Sequence, residues 1–405
     1  MPMKILGILI SILSIIIAIL IARIQKKHSQ KDKDQIIEEL FFFTDSLKKG
    51  IQLLKNKFPD IDISFNWALE IKDLPKVKLL DSAIRALNND DYSTAIDLFR
   101  YYLNLYQLPN CDKSSILSMM GIALRELKKY SEAINVFDES LRLNPANVPA
   151  WFNKGVTLTC MNIPEEAIKI YIEVVKIDPK HASAWNNIGT AYAMLSNYEE
   201  ARKAFKKAVE NDPYNEYFLV NMGTSLFTLG RYSEALEIAN IVLIFNNKYC
   251  KAVHLKGMAL KKLERYSEAL EAANMETLLC PSGYAGYILK THLLGILNMM
   301  SAALYCADEA IKIDPTQSTA YVYRARINSV LKNKRSALND IETAISIEPG
   351  IGAEVIGYPE FEWLRKDEEF IKISSKYESL ISSVDYKKLF VNTSEAIWMY
   401  KNRKE

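Results

Sequence analysis

Three residue types recur in this chain at one interval. Pro145, Pro179 and Pro213 are 34 residues apart, and Pro281, Pro315 and Pro349 continue the series, with Asn247 on the missing rung. Gly121, Gly155, Gly189, Gly223 and Gly257 form a second series, and Ala133, Ala167, Ala201, Ala235, Ala269, Ala303 and Ala337 a third. Three series agreeing on one period admit few folds. A unit that short cannot bury an apolar face alone, so such units stack, each hiding its face against the next.

Within residues 182–215 the local spacing is helical. Trp185, Ile188, Gly189 and Tyr192 fall on one stripe of a helix. Glycine in a helix costs up to about 1 kcal/mol, so glycines in register need a packing reason, and Gly189 lets a second helix come close. Ala201, Phe205 and Ala208 form the facing stripe, one large residue between two small ones. Pro213 lacks an amide hydrogen and ends the second helix. Glu199, Glu200 and Glu234 fall near starts of second helices, where the helix dipole favours negative charge.

These residues resemble the tetratricopeptide repeat, a helix-turn-helix unit of 34 residues. Units start at 114, 148, 182, 216, 250, 284 and 318, so 114–351 holds seven without a gap. A degenerate unit fits 76–113, with Ala95 and Phe99 in place and an insertion at 110–113. Thr291 and Ala325 depart from the glycine series, and Lys290 and Arg324 replace an apolar neighbour. The resemblance implies an all-α fold, a right-handed α-α superhelix. Residues 352–405 are expected to cap its end, with Phe361, Leu364 and Phe370 as apolar anchors. The tail at 371–400 would cap the array or fold back into its groove.

The segment Ile5–Ala22 carries no charge and, as a helix, would span roughly 27 Å at ~1.5 Å per residue. It predicts a single-pass anchor over 4–24 in contact with the lipid bilayer. Arg23, Lys26, Lys27, Lys31 and Lys33 follow it against Lys4 before it, which predicts a cytoplasmic C-terminal body. Residues 25–75 read as a juxtamembrane linker with N-terminal capping helices; Phe41, Phe42 and Phe43 either pack as part of that cap or touch a membrane surface.

Composition excludes more than it selects. A formal net charge of +2 over 405 residues gives no field for nucleic acid. The five cysteines are odd in number and contain no CxxC, so no disulfide framework is expected and the thiols read as buried and structural, in a reducing compartment. Four histidines, His28, His181, His254 and His292, match no catalytic or metal motif. No catalytic residue, metal ligand or cofactor is expected.

The resemblance implies a groove lined by the first helix of each unit. Asn153, Asn187 and Asn221 recur there, two residues after the Trp position. They resemble the asparagine ladder of the repeats in the transferase that adds N-acetylglucosamine to Ser and Thr, where amides bond a peptide backbone; Asn is also simply common at that place in the family. An amide offers a donor and an acceptor, matching a peptide unit without reading its side chain. Asn186, Thr190, Thr224, Lys251, Leu255 and Met258 complete the candidate groove, which becomes apolar where Leu255, Leu289 and Tyr323 end the ladder. The carboxylate clamp of chaperone adaptors fits poorly, since Leu255 stands where its Arg belongs. The expected function is a membrane-tethered scaffold that binds a partner protein, as a peptide or helix. A self-associating or self-capped structural protein, or an enzyme of unrecognised site, are the alternatives; oligomeric state is not legible.

Overall fold

A computed structural model describes residues 76–381, and among them every regular element is a helix. They divide into two compact units at Pro179/Lys180. The first holds α1 (Lys76–Asn88), α2 (Tyr92–Leu105), α3 (Asn110–Glu126), α4 (Tyr130–Leu143), α5 (Val148–Cys160) and α6 (Pro164–Ile177). The second holds α7 (Ala182–Met194), α8 (Tyr198–Asn211), α9 (Glu216–Thr228), α10 (Tyr232–Phe245), α11 (Cys250–Lys262), α12 (Tyr266–Leu279), α13 (Tyr284–Ile296), α14 (Met300–Ile313), α15 (Ser318–Val330) and α16 (Lys334–Ile347). It ends in α17 (Gly352–Gly357), a 3-10 turn at Pro359–Leu364 and α18 (Glu368–Ile381). The expected anchor at 4–24, the linker at 25–75 and the tail beyond 381 lie outside the described residues. Among the described residues no helix is long and apolar enough to cross a membrane.

In each unit consecutive helices pair as antiparallel hairpins. The insertion expected at 110–113 is itself helical: it lengthens α3 to 17 residues, against 13 for α5, and Pro109 precedes it as the cap.

The glycine series has the reason its register demanded. A Cβ on Gly121 would meet the Phe137 ring at 2.5 Å, one on Gly155 the Tyr171 ring at 2.5 Å, and one on Gly189 the Phe205 ring at 2.6 Å. Further along the chain the aromatic gives way to Ala239 and Ala273, and the space is filled from the next hairpin. Leu255 comes within 2.6 Å of the Gly223 position, and Leu289 within 2.7 Å of the Gly257 position. Leu255 therefore belongs to the core, 5% exposed, and does not line an open groove. An asparagine would strand an amide there, so the ladder stops where the aromatic stops.

Hairpin turns carry a second series. Lys128, Asn162, Ser196, Gly230, Glu264, Asn298 and Lys332 all have φ between 58° and 77°, and Asp90 has φ 61°. One residue per hairpin is left-handed, and Gly230 is its one glycine.

Arg324, polar where the unit pattern is apolar, clasps buried Asp340 through Nε at 2.9 Å and Nη2 at 2.6 Å and reaches Asp308 at 2.6 Å. Burial raises the Asp340 carboxyl pKa, and hydrogen bonding to Arg324 opposes that.

The cysteines correct an expectation. Cys250 and Cys280 form a disulfide, Cys111 and Cys160 are exposed, and Cys306 is buried. Both bonded residues sit at helix ends of one hairpin, so their sequence separation of 30 residues is a neighbour contact in space.

Candidate functional site

The expected amides fall on first helices of hairpins, but their surroundings differ. In the first unit Asn153 is occupied by its own neighbours: Arg125 Nη1 donates to its Oδ1 at 2.8 Å, and its Nδ2 donates to the Pro149 carbonyl at 2.9 Å. In the second unit α7 and α9 bring three amides into one network. Asn221 Nδ2 donates to Asn186 Oδ1 at 2.8 Å, and Asn186 Nδ2 donates to Asn187 Oδ1 at 3.3 Å. Asn186 is buried, while Asn187 and Asn221 are half-buried. Asn186 thus acts as a fixed support that orients the two amides nearer the surface.

Thr190 and Thr224 bond back to the carbonyls of Asn186 and Val220, at 3.2 and 2.8 Å. Their hydroxyl hydrogens are engaged by the helix, which leaves hydroxyl lone pairs as what they offer. Lys251 is exposed, its Nζ 5.3 Å from the centroid of the Tyr217 ring. Met258 is half-buried and packs on the core that holds Leu255. Trp185, expected on the helix stripe, lies under Lys207 Nζ at 4.0 Å.

Further along, the surface expected to be apolar has a polar centre. Leu289 and Val322 are buried in the core. A cavity of about 70 Å³ is lined by His292, Ile296, Met300, Tyr323, Arg326 and Glu360 among others. His292 Nδ1 lies 3.3 Å from both Lys261 Nζ and the Tyr323 hydroxyl. Burial, and then the charges of Lys261, Arg326 and Lys262, hold the His292 pKa well below its ordinary value, so the ring is neutral at physiological pH. Arg326 pairs with Glu360 at 2.8 Å and lies over the Tyr358 ring at 4.4 Å. Ser329 Oγ donates to the Glu360 carbonyl at 2.6 Å, and Trp363 Nε1 donates to Ser329 Oγ at 2.8 Å. These bonds fasten the turn at 359–364 onto α15. His292, Arg326 and Glu360 are 34 residues apart, on the repeat's own period, but sequence reasoning missed them because that period was followed through residues of one type and these three differ in type.

His254 does not face open space as a groove histidine either: its Nδ1 is 3.0 Å from both oxygens of buried Glu276. Among the described residues no group of three His, Cys, Asp or Glu could hold a metal ion.

The hairpin geometry, the glycine–aromatic contact and the 34-residue register together define a tetratricopeptide-repeat array. Residues 114–147, 148–181 and 182–215 each match a family model described as tetratricopeptide repeat, and these residues are such repeats. Among solved structures, a chain of the APC/C hetero-tetramer Cut9–Hcn1 is similar over 72% of this chain and 57% of its own, at 15% identity and a TM-score of 0.50, a likeness of fold. YrrB, described as a TPR protein with an unusual peptide-binding site, is 24% identical over 45% of this chain and 95% of its own, TM-score 0.38. MamA from Desulfovibrio magneticus RS-1 is 25% identical over 44% of this chain and 98% of its own, TM-score 0.39. Comparison with curated proteins finds no match.

Proposed function

We propose that this protein is a non-enzymatic scaffold that captures an extended segment of a partner protein along α7 and α9. The Asn186–Asn187–Asn221 network carries the reading. Two half-buried amides, oriented by a buried third, present donors and acceptors in the spacing of adjacent helices. A peptide backbone offers the complementary pattern at every residue, so such a surface binds main chain and tolerates many side chains. Lys251 beside Tyr217 adds a positive charge at one edge of this face, favouring acidic residues in the partner.

The uncharged segment Ile5–Ala22 is proposed to tether the scaffold to a membrane, with the repeats on the cytoplasmic side. Tethering raises the effective concentration of partners at that surface, so weak main-chain contacts suffice.

The test is quantitative crosslinking of the full chain to its partners, comparing wild type with the Asn187→Ala, Asn221→Ala pair. Recovery is expected to fall about tenfold, the loss of one or two net hydrogen bonds. Equal recovery with an unchanged helical spectrum would overturn the peptide reading. Release of the chain from membranes by alkaline wash would overturn the tether.

A further inference from the structure

Three hairpins of the second unit are fastened at their open end by one pair of positions. The first residue of the first helix lies against the residue that caps the second helix, 30 residues later. In the hairpin α9–α10 the fastening is a hydrogen bond from Asn246 Nδ2 to Glu216 Oε1 at 3.4 Å. In α15–α16 it is Ser318 Oγ donating to Glu348 Oε2 at 2.5 Å. In α11–α12 the same two positions are Cys250 and Cys280, joined as a disulfide with 6.6 Å between their Cα atoms. Repeat geometry brings these positions together whatever residues stand there. Two thiols at 250 and 280 are therefore neighbours in either oxidation state, and breaking the bond does not dissolve the hairpin.

We propose that Cys250 and Cys280 form a reversible dithiol–disulfide site, exchanged by a low-mass thiol, that switches this one hairpin between covalent and open fastening. The switch does not depend on peptide capture by α7 and α9.

Three features separate this pair from an inert structural bridge. Both cysteines are half-buried and not sealed in the core, so a small thiol reaches them. The two sulfurs are also unlike. Cys250 is the first residue of α11, where unpaired backbone N–H groups stabilise a thiolate, and exposed Lys248 and Lys251 flank it. Cys280 caps the C-terminus of α12, among carbonyl oxygens. Cys250 is therefore the better leaving group, which makes exchange at this bond fast in one direction of attack. Finally, α11 begins without a side-chain cap: Tyr249 stands where Asn215 accepts from the Phe218 amide in α9. With the disulfide open, the first turn of α11 has neither a covalent tie nor a cap.

The exchange balances with one named co-reactant. A low-mass thiolate attacks Cys280 Sγ, the protein S–S bond breaks, and Cys250 leaves as a thiolate that takes a proton from water. A second low-mass thiolate attacks the low-mass sulfur of the mixed disulfide and releases the Cys280 thiolate, which is protonated in turn. Two electrons and two protons reach the protein, and two low-mass thiols leave as their disulfide, which is the oxidant of the reverse reaction.

The experiment sets the full chain against glutathione buffers of graded reduced-to-oxidised ratio. Free thiols are alkylated and located by peptide mass spectrometry, and amide hydrogen exchange is followed in the same samples. Cys250 and Cys280 are expected to become labelled together as the buffer turns reducing and to lose that label on return, while exposed Cys111 and Cys160 are labelled throughout. Exchange at the Ala252 and Val253 amides, which donate to the Tyr249 carbonyl, is expected to rise about a hundredfold on reduction, from the typical worth of a closed loop. A Cys250→Ser, Cys280→Glu variant copies the Ser318–Glu348 fastening and is expected to show slow exchange at every ratio. Cys250 and Cys280 labelled in the oxidised buffer, a bond that does not re-form, or exchange in α11 indifferent to reduction would each overturn the proposal. The wild-type series alone separates these outcomes, whether or not the variant folds.

Discussion

His292 shows how one buried side chain sets a pH limit. Its folded-state pKa is depressed, first by burial and then by Lys261, Arg326 and Lys262, with the Tyr323 hydroxyl against the same nitrogen. The unfolded chain takes up a proton near the ordinary value of about 6.5, and the folded chain does not. Below that pH the unfolded state binds more protons, so stability is full above it and declines as pH falls toward the folded pKa. The expected slope is at most roughly 1.4 kcal/mol per pH unit below about 6.5. Urea unfolding of wild type and His292→Gln at pH 7.5 and 5.2 checks it: the variant is expected to lose less on acidification. Equal losses would mean that other groups carry the acid sensitivity.

At the scale of the hairpin, two series govern how helices meet. The turn series holds a left-handed residue in each hairpin, and non-glycine residues there carry strain. Glu264→Gly is expected to stabilise its hairpin by up to about 1 kcal/mol, and Gly230→Ala to destabilise by about as much, read from unfolding midpoints. Gly230 has open space where a Cβ would go, so backbone conformation alone is tested. The packing series behaves differently. Gly189→Ala places a Cβ 2.6 Å from the Phe205 ring, and overpacking is expected to cost about 1–3 kcal/mol despite alanine's better helix propensity. In a Phe205→Ala background the ring is gone, and Gly189→Ala is expected to cost little there, so the two changes couple. A single Gly189→Ala variant as stable as wild type would refute the ring contact.

For the whole chain, the period carried most of the architecture. Pro, Gly and Ala in one register predicted paired helices, because a helix stop and small residues at a crossing set how two helices meet. What the period left open was any property that depends on a neighbour's size. Leu255 sits at a groove position by count, yet turns inward because Ala239 leaves room. The cysteine pair was invisible for a related reason: an odd count argued against bridges, while a separation of 30 residues joins the two ends of one hairpin. The amides were legible as a line, but what each one bonds, Arg125 for Asn153 and Asn186 for Asn187 and Asn221, depends on contacts that no spacing encodes.

A stack of this kind must be closed where its last hairpin would face water. Val322, Ile341 and Ile345 of α15 and α16 are covered by Val355, Phe361, Leu364 and Phe370, and Phe361 and Leu364 are fully buried. Polar bonds fix the same cover: Arg326 to Glu360, and Trp363 to Ser329. Phe361→Ala is expected to cost about 3–5 kcal/mol, as for other buried aromatics. Because each hairpin is held mainly by its neighbours, the loss should fall first on α15 and α16 and fade toward α9. Hydrogen exchange resolved by peptide reads that gradient. Exchange that quickens equally in every hairpin of the second unit would mean that the unit opens as one body, and that Phe361 supports all of it and not its end.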